Sequence, residues 1–299
     1  MTSITLKRVR RVLAVVAAAA LLTPLAACGS GGETTVKVAT RADYYEIYKA
    51  LNEELEARGE HIRVENDTYD SSIDTSQLLV DNDIDIAATV HTAALKQSQE
   101  KNPKFNDVVR LDYIHVQGLA LYSKKYKSLD EIPDGATIAI LQDAINQSRS
   151  LHDLESAGLI KVNPDVTYAA IADVTSNPKN LKFKEITTQL QVRTLDDVDA
   201  GLVYTTQAYD GKLDPKTALW SETTDFKKNP EQRKYANIFT VRKEDQNNET
   251  YKKVVDAYHS PRVYKAYIAE YDGALVPVDH DGNAVDLSKY RRCSEQAPL

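Results

Sequence analysis

Cysteine is nearly missing from this chain, and so are methionine and tryptophan. Among 299 residues there are two cysteines, Cys28 and Cys293, one methionine, one tryptophan and four phenylalanines. Two thiols cannot build a disulfide framework, and no paired-cysteine or His-x-x-x-His spacing marks a structural zinc site, so neither a metal nor a cofactor is expected. Beyond the first 27 residues no apolar run reaches the ~20 residues that a membrane-spanning helix needs. Gly-x-Ser-x-Gly and His-Glu-x-x-His are absent, which removes the commonest serine and zinc hydrolase signatures and argues against an enzyme. Basic charge is in deficit as well. The net charge is -7, and most of the acidity lies outside the N-terminal region, which speaks against nucleic acid as a partner.

The N-terminus holds what is plentiful. Lys7, Arg8, Arg10 and Arg11 precede an alanine-rich apolar run from Val12 to Leu22, and Leu25-Ala26-Ala27-Cys28 follows. A positive region, a short apolar region and small residues make a secretion signal. Ending on cysteine, it resembles the lipobox of bacterial lipoproteins. That resemblance implies removal of residues 1–27, acylation of Cys28 with palmitate-type chains, and a flexible tether over residues 28–33. The working protein is then expected on the extracytoplasmic face of the cell membrane, held by its lipid. Stable anchoring takes more than one acyl chain.

From residue 34 onward, strand and helix patterns alternate. Val36–Thr40, Ile62–Val64, Ile84–Ala88, Thr137–Ile140, Leu181–Ile186 and Ile238–Val241 read as strands. Tyr44–Arg58, Ile73–Asp81, His91–Glu100, Asn146–Ala157, Tyr251–Tyr258 and Ser260–Tyr271 read as helices. Val108–Ser123 contains a long strand region, Leu119–Tyr122. Ser128 and Glu131 fit a capping box that opens a new helix, and Leu195-Asp196-Asp197 reads as another helix start. From Val276 the chain reads as a polar extension. The alternation predicts an α/β protein with sheets covered by helices. Two series joined by long strands predict two lobes with a ligand cleft between them. Tyr264, Tyr267 and Tyr271 share one helical face and read as core.

Several blocks, in order, resemble the NlpA/MetQ family of methionine-binding lipoproteins, the substrate receptors of ABC importers. They are Tyr122-Ser123-Lys124-Lys125 through Glu131, Asn146 through Leu151, Asn177 through Lys182, Arg193 through Asp197, and Tyr235-Ala236-Asn237-Ile238. The resemblance implies a two-lobe, type II periplasmic-binding-protein-like fold, with residues 34–118 and 238–299 in lobe 1 and 119–237 in lobe 2. It also implies a monomer working with a separate permease and ATPase.

A zwitterionic ligand needs both of its charges re-solvated by protein hydrogen bonds. Arg149 matches the family arginine that holds the ligand carboxylate, and its planar fork suits that task. Asn146 and Asn237 match pocket asparagines, His91 a pocket histidine, and Thr206 stands where the family has another asparagine. The family's aromatic residues beside the histidine are replaced by Thr89 and Ala94. Tyr69, Tyr113 or Tyr204 are then candidates to refill the space, with Tyr69 counted among the ligand-binding residues. The ligand stays open between methionine, a related amino acid and a short peptide. A surface lipoprotein that keeps the fold without transport is the alternative, and an exported hydrolase a more distant one.

Overall fold

The computed structural model describes residues 32–70 and 72–291. The signal segment, Cys28 with most of its tether, and Cys293 lie outside the described residues. Among the described residues no helix is long and apolar enough to cross a membrane.

The chain folds into two lobes, each with a five-stranded mixed sheet built on one plan. In the first, Thr34–Thr40 lies parallel to Ile62–Thr68 on one side and to Ile86–His91 on the other. Asn237–Arg242 then runs antiparallel to Ile86–His91, and Val108–Tyr113 closes the edge. In the second, Thr137–Leu141 lies parallel to Lys182–Ile186 and Ala200–Tyr204. Leu119–Tyr122 and Trp220–Ser221 add antiparallel strands. The central parallel strands Ile86–His91, Thr137–Leu141 and Ala200–Tyr204 are largely apolar and buried, whereas the edge strands Ile62–Thr68 and Lys182–Ile186 expose most of their polar residues. Thr137–Leu141 is buried from its second residue on.

Each lobe has its own core. Ile47, Leu51 and Leu55 from Tyr45–Ala57 pack against Val36, Val38 and Phe239 from the first sheet. Val254 and Tyr258 from Glu249–Tyr258, with Val263 and Tyr267 from Pro261–Tyr271, complete that core. Tyr264, Tyr267 and Tyr271 are all buried there, as their spacing predicts. The second core joins Ile138 and Ile140 to Leu151, Leu154, Leu202 and Tyr204. Gly201 sits where this sheet is tightest. A Cβ there would lie 3.1 Å from both Ala139 Cβ and Leu195 Cδ2.

Three local readings differ from the structure, whereas the strand read at Leu119–Tyr122 is present, preceded by the separate strands Val108–Tyr113 and His115–Val116. The chain changes sheets there, through Gln117 and Gly118. Ser128 and Glu131 open no helix; the Glu131 side chain instead accepts the Lys127 N–H at 2.8 Å within a turn, and Pro133 follows too soon for helical pairing. Leu195-Asp196-Asp197 ends a short helix, Gln191–Thr194, rather than starting one, and Ala200–Tyr204 is a central strand. Finally, the segment after Val276 is no loose extension. Val276–Pro277 pairs with His115–Val116, Val278 is fully buried, and Leu287 seals the first core.

Candidate functional site

The chain passes from the first sheet to the second through Gln117 and returns through residues 222–236. Most of the expected binding residues gather along these two passages. Arg149 lies on the helix Ala144–Ser156, opened by Asp143, whose carboxylate accepts the Asn146 N–H at 3.0 Å. The Arg149 side chain is only 2% exposed. A guanidinium at that depth needs partners on every side. Nε donates to Glu222 Oε1 at 3.1 Å, and Nη2 donates to Glu222 Oε2 and to the Gln117 carbonyl, the latter at 2.9 Å. Glu222 in turn accepts from the Leu119 N–H at 2.9 Å and from the Gln232 amide. Two rings complete the enclosure: the guanidinium carbon stands 4.4 Å from the centre of Tyr235 and 5.7 Å from that of Tyr204. Nη1 makes no hydrogen bond among the described residues.

Charge is balanced within this group. Burial pulls the Arg149 pKa down, but Glu222, together with Tyr204 and Asp153, more than reverses this and keeps the guanidinium charged. Asp153, one turn along the same helix, is pushed well above the usual carboxylate range by burial and then by Glu222. It therefore stays protonated, leaving one cation facing one anion. Tyr204 and Tyr235 are raised too, chiefly by burial, and remain neutral phenols.

His91 faces this group from the first lobe. It ends the strand Ile86–His91, and its Nδ1 caps the following helix by accepting the Ala94 N–H at 3.1 Å. An accepting Nδ1 places the proton on Nε2. Burial, reinforced by the Arg149 charge, lowers the His91 pKa to about 3. The ring is thus a neutral donor, set edge-on to Tyr235 at 5.5 Å. Thr89, two residues earlier, bonds Thr75 at 2.5 Å.

The asparagines divide. Asn146 directs its amide nitrogen at both Asp143 oxygens, 3.1 Å each, while its buried Oδ1 has no hydrogen-bond partner among the described residues. Asn237 lies opposite His91 in the sheet register, and its amide meets His115 Nε2 at 3.0 Å. His115 Nδ1 meets the Tyr267 hydroxyl at 3.1 Å, and that hydroxyl meets Tyr258 at 2.6 Å. A chain of polar groups therefore runs from the first core to Asn237. Thr206 donates to the Gln117 side chain at 2.7 Å, beside the carbonyl that Arg149 uses. Tyr69 packs instead on the cluster of Ala39, Leu79 and Ile238, and no ring contact joins it to Arg149 among the described residues.

Sequence reasoning missed Glu222, Tyr235, Gln117 and Gln232. Tyr235 stood inside a recognised block, two residues before Asn237. Glu222 carried no signal beyond its place after the lone tryptophan.

The arrangement offers an acceptor, Asn146 Oδ1, and a donor, Arg149 Nη1, three residues apart on one helix. Comparison with known proteins places this architecture. The model of the NlpA lipoprotein family matches residues 36–279. The chain belongs to that family. It is 32% identical over 265 residues to the methionine-binding lipoprotein MetQ of Bacillus subtilis, covering 85% of this chain and 93% of that protein. It is 34% identical over 214 residues to the D-methionine-binding lipoprotein MetQ of Escherichia coli K12, covering 71% and 77%. The fold superposes with a TM-score of 0.72 on the substrate-binding protein of a methionine transporter from Streptococcus pneumoniae, at 30% identity and 82% and 96% coverage. A nutrient-binding protein from Burkholderia cenocepacia bound to methionine gives a TM-score of 0.70 at 27% identity, covering 81% of this chain and 99% of that one. As a member of the NlpA lipoprotein family, the chain shares its two-lobe receptor architecture with these proteins.

Proposed function

We propose that this protein is a lipid-anchored, extracytoplasmic solute receptor. It takes methionine, a related amino acid or a short methionine-like peptide into the cleft and delivers it to the permease of an ABC importer. The observation that carries this reading is that Arg149 Nη1 and Asn146 Oδ1, three residues apart on one helix, each lack a hydrogen-bond partner among the described residues. A buried carbonyl without a donor costs about 1–3 kcal/mol, and an ammonium group removes that cost. Nη1 accommodates one oxygen of the ligand carboxylate, while Glu222 keeps Nε and Nη2. His91, through Nε2–H, and the Tyr235 ring serve the remaining carboxylate oxygen and the side chain. Asn237 and Thr206 line the cleft on either side of Gln117, and Tyr69 lies at the margin. Acylation of Cys28 holds the protein to the membrane as a monomer.

Native mass spectrometry of the full chain in detergent, before and after denaturation and refolding, tests this. A retained mass equal to methionine or a small peptide is expected, as is its loss in Arg149→Ala. Retention of the same mass by Arg149→Ala would remove Arg149 from the site. Absence of any retained mass, followed by no heat of binding with L-methionine, D-methionine or methionyl dipeptides, would favour the alternative of a surface lipoprotein without a transport role.

A further inference from the structure

Three side chains able to ligate a metal converge in the first lobe, and none of them belongs to the group around Arg149. Asp112 comes from the strand Val108–Tyr113, His259 from the end of the helix Glu249–Tyr258, and His280 from a hairpin over residues 278–284. One ligand atom from each lies within 4.8 Å of the others. His280 Nδ1 bonds Asp112 Oδ2, and His259 Nε2 stands 3.9 Å from Asp112 Oδ1. The two imidazoles are 4.1 Å apart at their centres.

A second, independent observation concerns His259 itself. Its side chain is 3% exposed, and its Nε2 has no hydrogen-bond partner among the described residues. The other nitrogen, Nδ1, is engaged at 3.2 Å by the Tyr264 hydroxyl. In the tautomer whose Nδ1–H is donated to the Tyr264 hydroxyl, Nε2 presents a lone pair toward Asp112. His280 has the matching outer contact: its Nε2 lies 3.9 Å from Asp256 Oδ1. Metal-bound histidines characteristically set their second nitrogen on a carboxylate, hydroxyl or carbonyl.

We propose that Asp112, His259 and His280 form a binding site for a divalent transition metal of the Zn2+ class. Two imidazoles and one carboxylate suit Zn2+ and its neighbours rather than Ca2+ or Mg2+, which prefer all-oxygen shells. Tetrahedral zinc with bonds of about 2.0–2.1 Å sets its ligand atoms about 3.4 Å apart, so small rotations of the exposed His280 complete the triad. Three protein ligands leave a fourth position for water. The hairpin packs closely on the strand at Gly282, at φ 77°, where a Cβ would come within 2.8 Å of the Tyr113 ring. Sequence spacing hides the site because its members stand 147 and 21 residues apart. His280 also falls one residue past the family match, which ends at 279. Bound metal would pin the C-terminal hairpin to the strand that leads into the first passage between lobes.

The test is titration of EDTA-stripped full chain in detergent with ZnCl2 by calorimetry, and with CoCl2 by visible absorption, which reports tetrahedral coordination. One equivalent is expected. His280→Ala, on a side chain 49% exposed, and Asp112→Asn should each weaken binding by about tenfold or more. His152→Ala and Cys293→Ser should leave it unchanged. Equal binding by wild type and His280→Ala, loss of binding in Cys293→Ser, or no binding at all would each overturn the proposal.

Discussion

Acid should unfold this protein through its histidines. His91 and His115 are buried and held near a pKa of about 3, and His259 near about 4, in each case with burial as the largest cause. In the unfolded chain each titrates near about 6.5. The folded pKa is the lower one, so the unfolded chain takes up the proton first. Stability from these groups is therefore complete above pH ~6.5 and is lost as the pH falls toward 3–4. At pH 5.5 each histidine costs about 1.4 kcal/mol relative to pH 8, or about 4 kcal/mol for three. That is a large share of the ~5–15 kcal/mol typical of a folded domain. Asp153 works in the opposite sense, because its raised pKa makes the fold take up its proton first. The clean measurement is thus a difference. Urea unfolding at pH 8, 7, 6 and 5.5, in EDTA, is compared between wild type and His115→Gln. Glutamine keeps hydrogen-bonding groups toward Tyr267 and Asn237 while removing the titration. The variant should lose about 1.4 kcal/mol less than wild type between pH 8 and 5.5. Parallel pH profiles for the two proteins would refute the reasoning.

Glu222→Gln leaves the Arg149 charge buried without its anion and should cost about 3–5 kcal/mol, read as a fall in thermal midpoint. Asp153→Asn removes a carboxyl that must stay protonated; relative to wild type it should be more stable at pH 8 than at pH 5, and the same difference from wild type at both pH values would contradict the pKa direction. Gly201→Ala forces a Cβ against Ala139 and Leu195 and should cost about 1–3 kcal/mol by urea unfolding. Tyr235→Leu removes the ring over the Arg149 guanidinium and should weaken ligand binding in calorimetry with little change in urea midpoint.

Much of the fold was legible because strands and helices declare themselves by period. Val36–Thr40 and Tyr44–Arg58 follow periods of 2 and 3.6, and the structure places both within a residue or two. Short-range signals failed where tertiary geometry decides. The Ser128–Glu131 pattern is a good capping box in isolation, yet the chain there only turns toward the next strand. The tail after Val276 looks polar by composition, yet a buried valine and a buried leucine fix it to the core. In the candidate site, residues embedded in recognisable blocks could be named in advance: Arg149, Asn146, Asn237 and His91. Glu222 could not, because a carboxylate in an acidic chain carries no mark until its partner is known. The same holds for Asp112, His259 and His280, which only folding brings together.

The polar chain from Tyr258 through Tyr267 and His115 to Asn237 has a consequence for how such a receptor changes over time. Asn237 is held by His115, which the Tyr267 and Tyr258 hydroxyls of the first core hold in turn. A single hydroxyl lost at Tyr258, deep among apolar neighbours, frees Tyr267 to re-pair, His115 to switch which nitrogen bears its proton, and Asn237 to turn its amide over. The side turned away from His115 then offers an NH2 group where it had offered a carbonyl. Selectivity in this protein can drift through substitutions in the interior of a lobe, and a comparison of cleft residues alone would read such divergent receptors as identical.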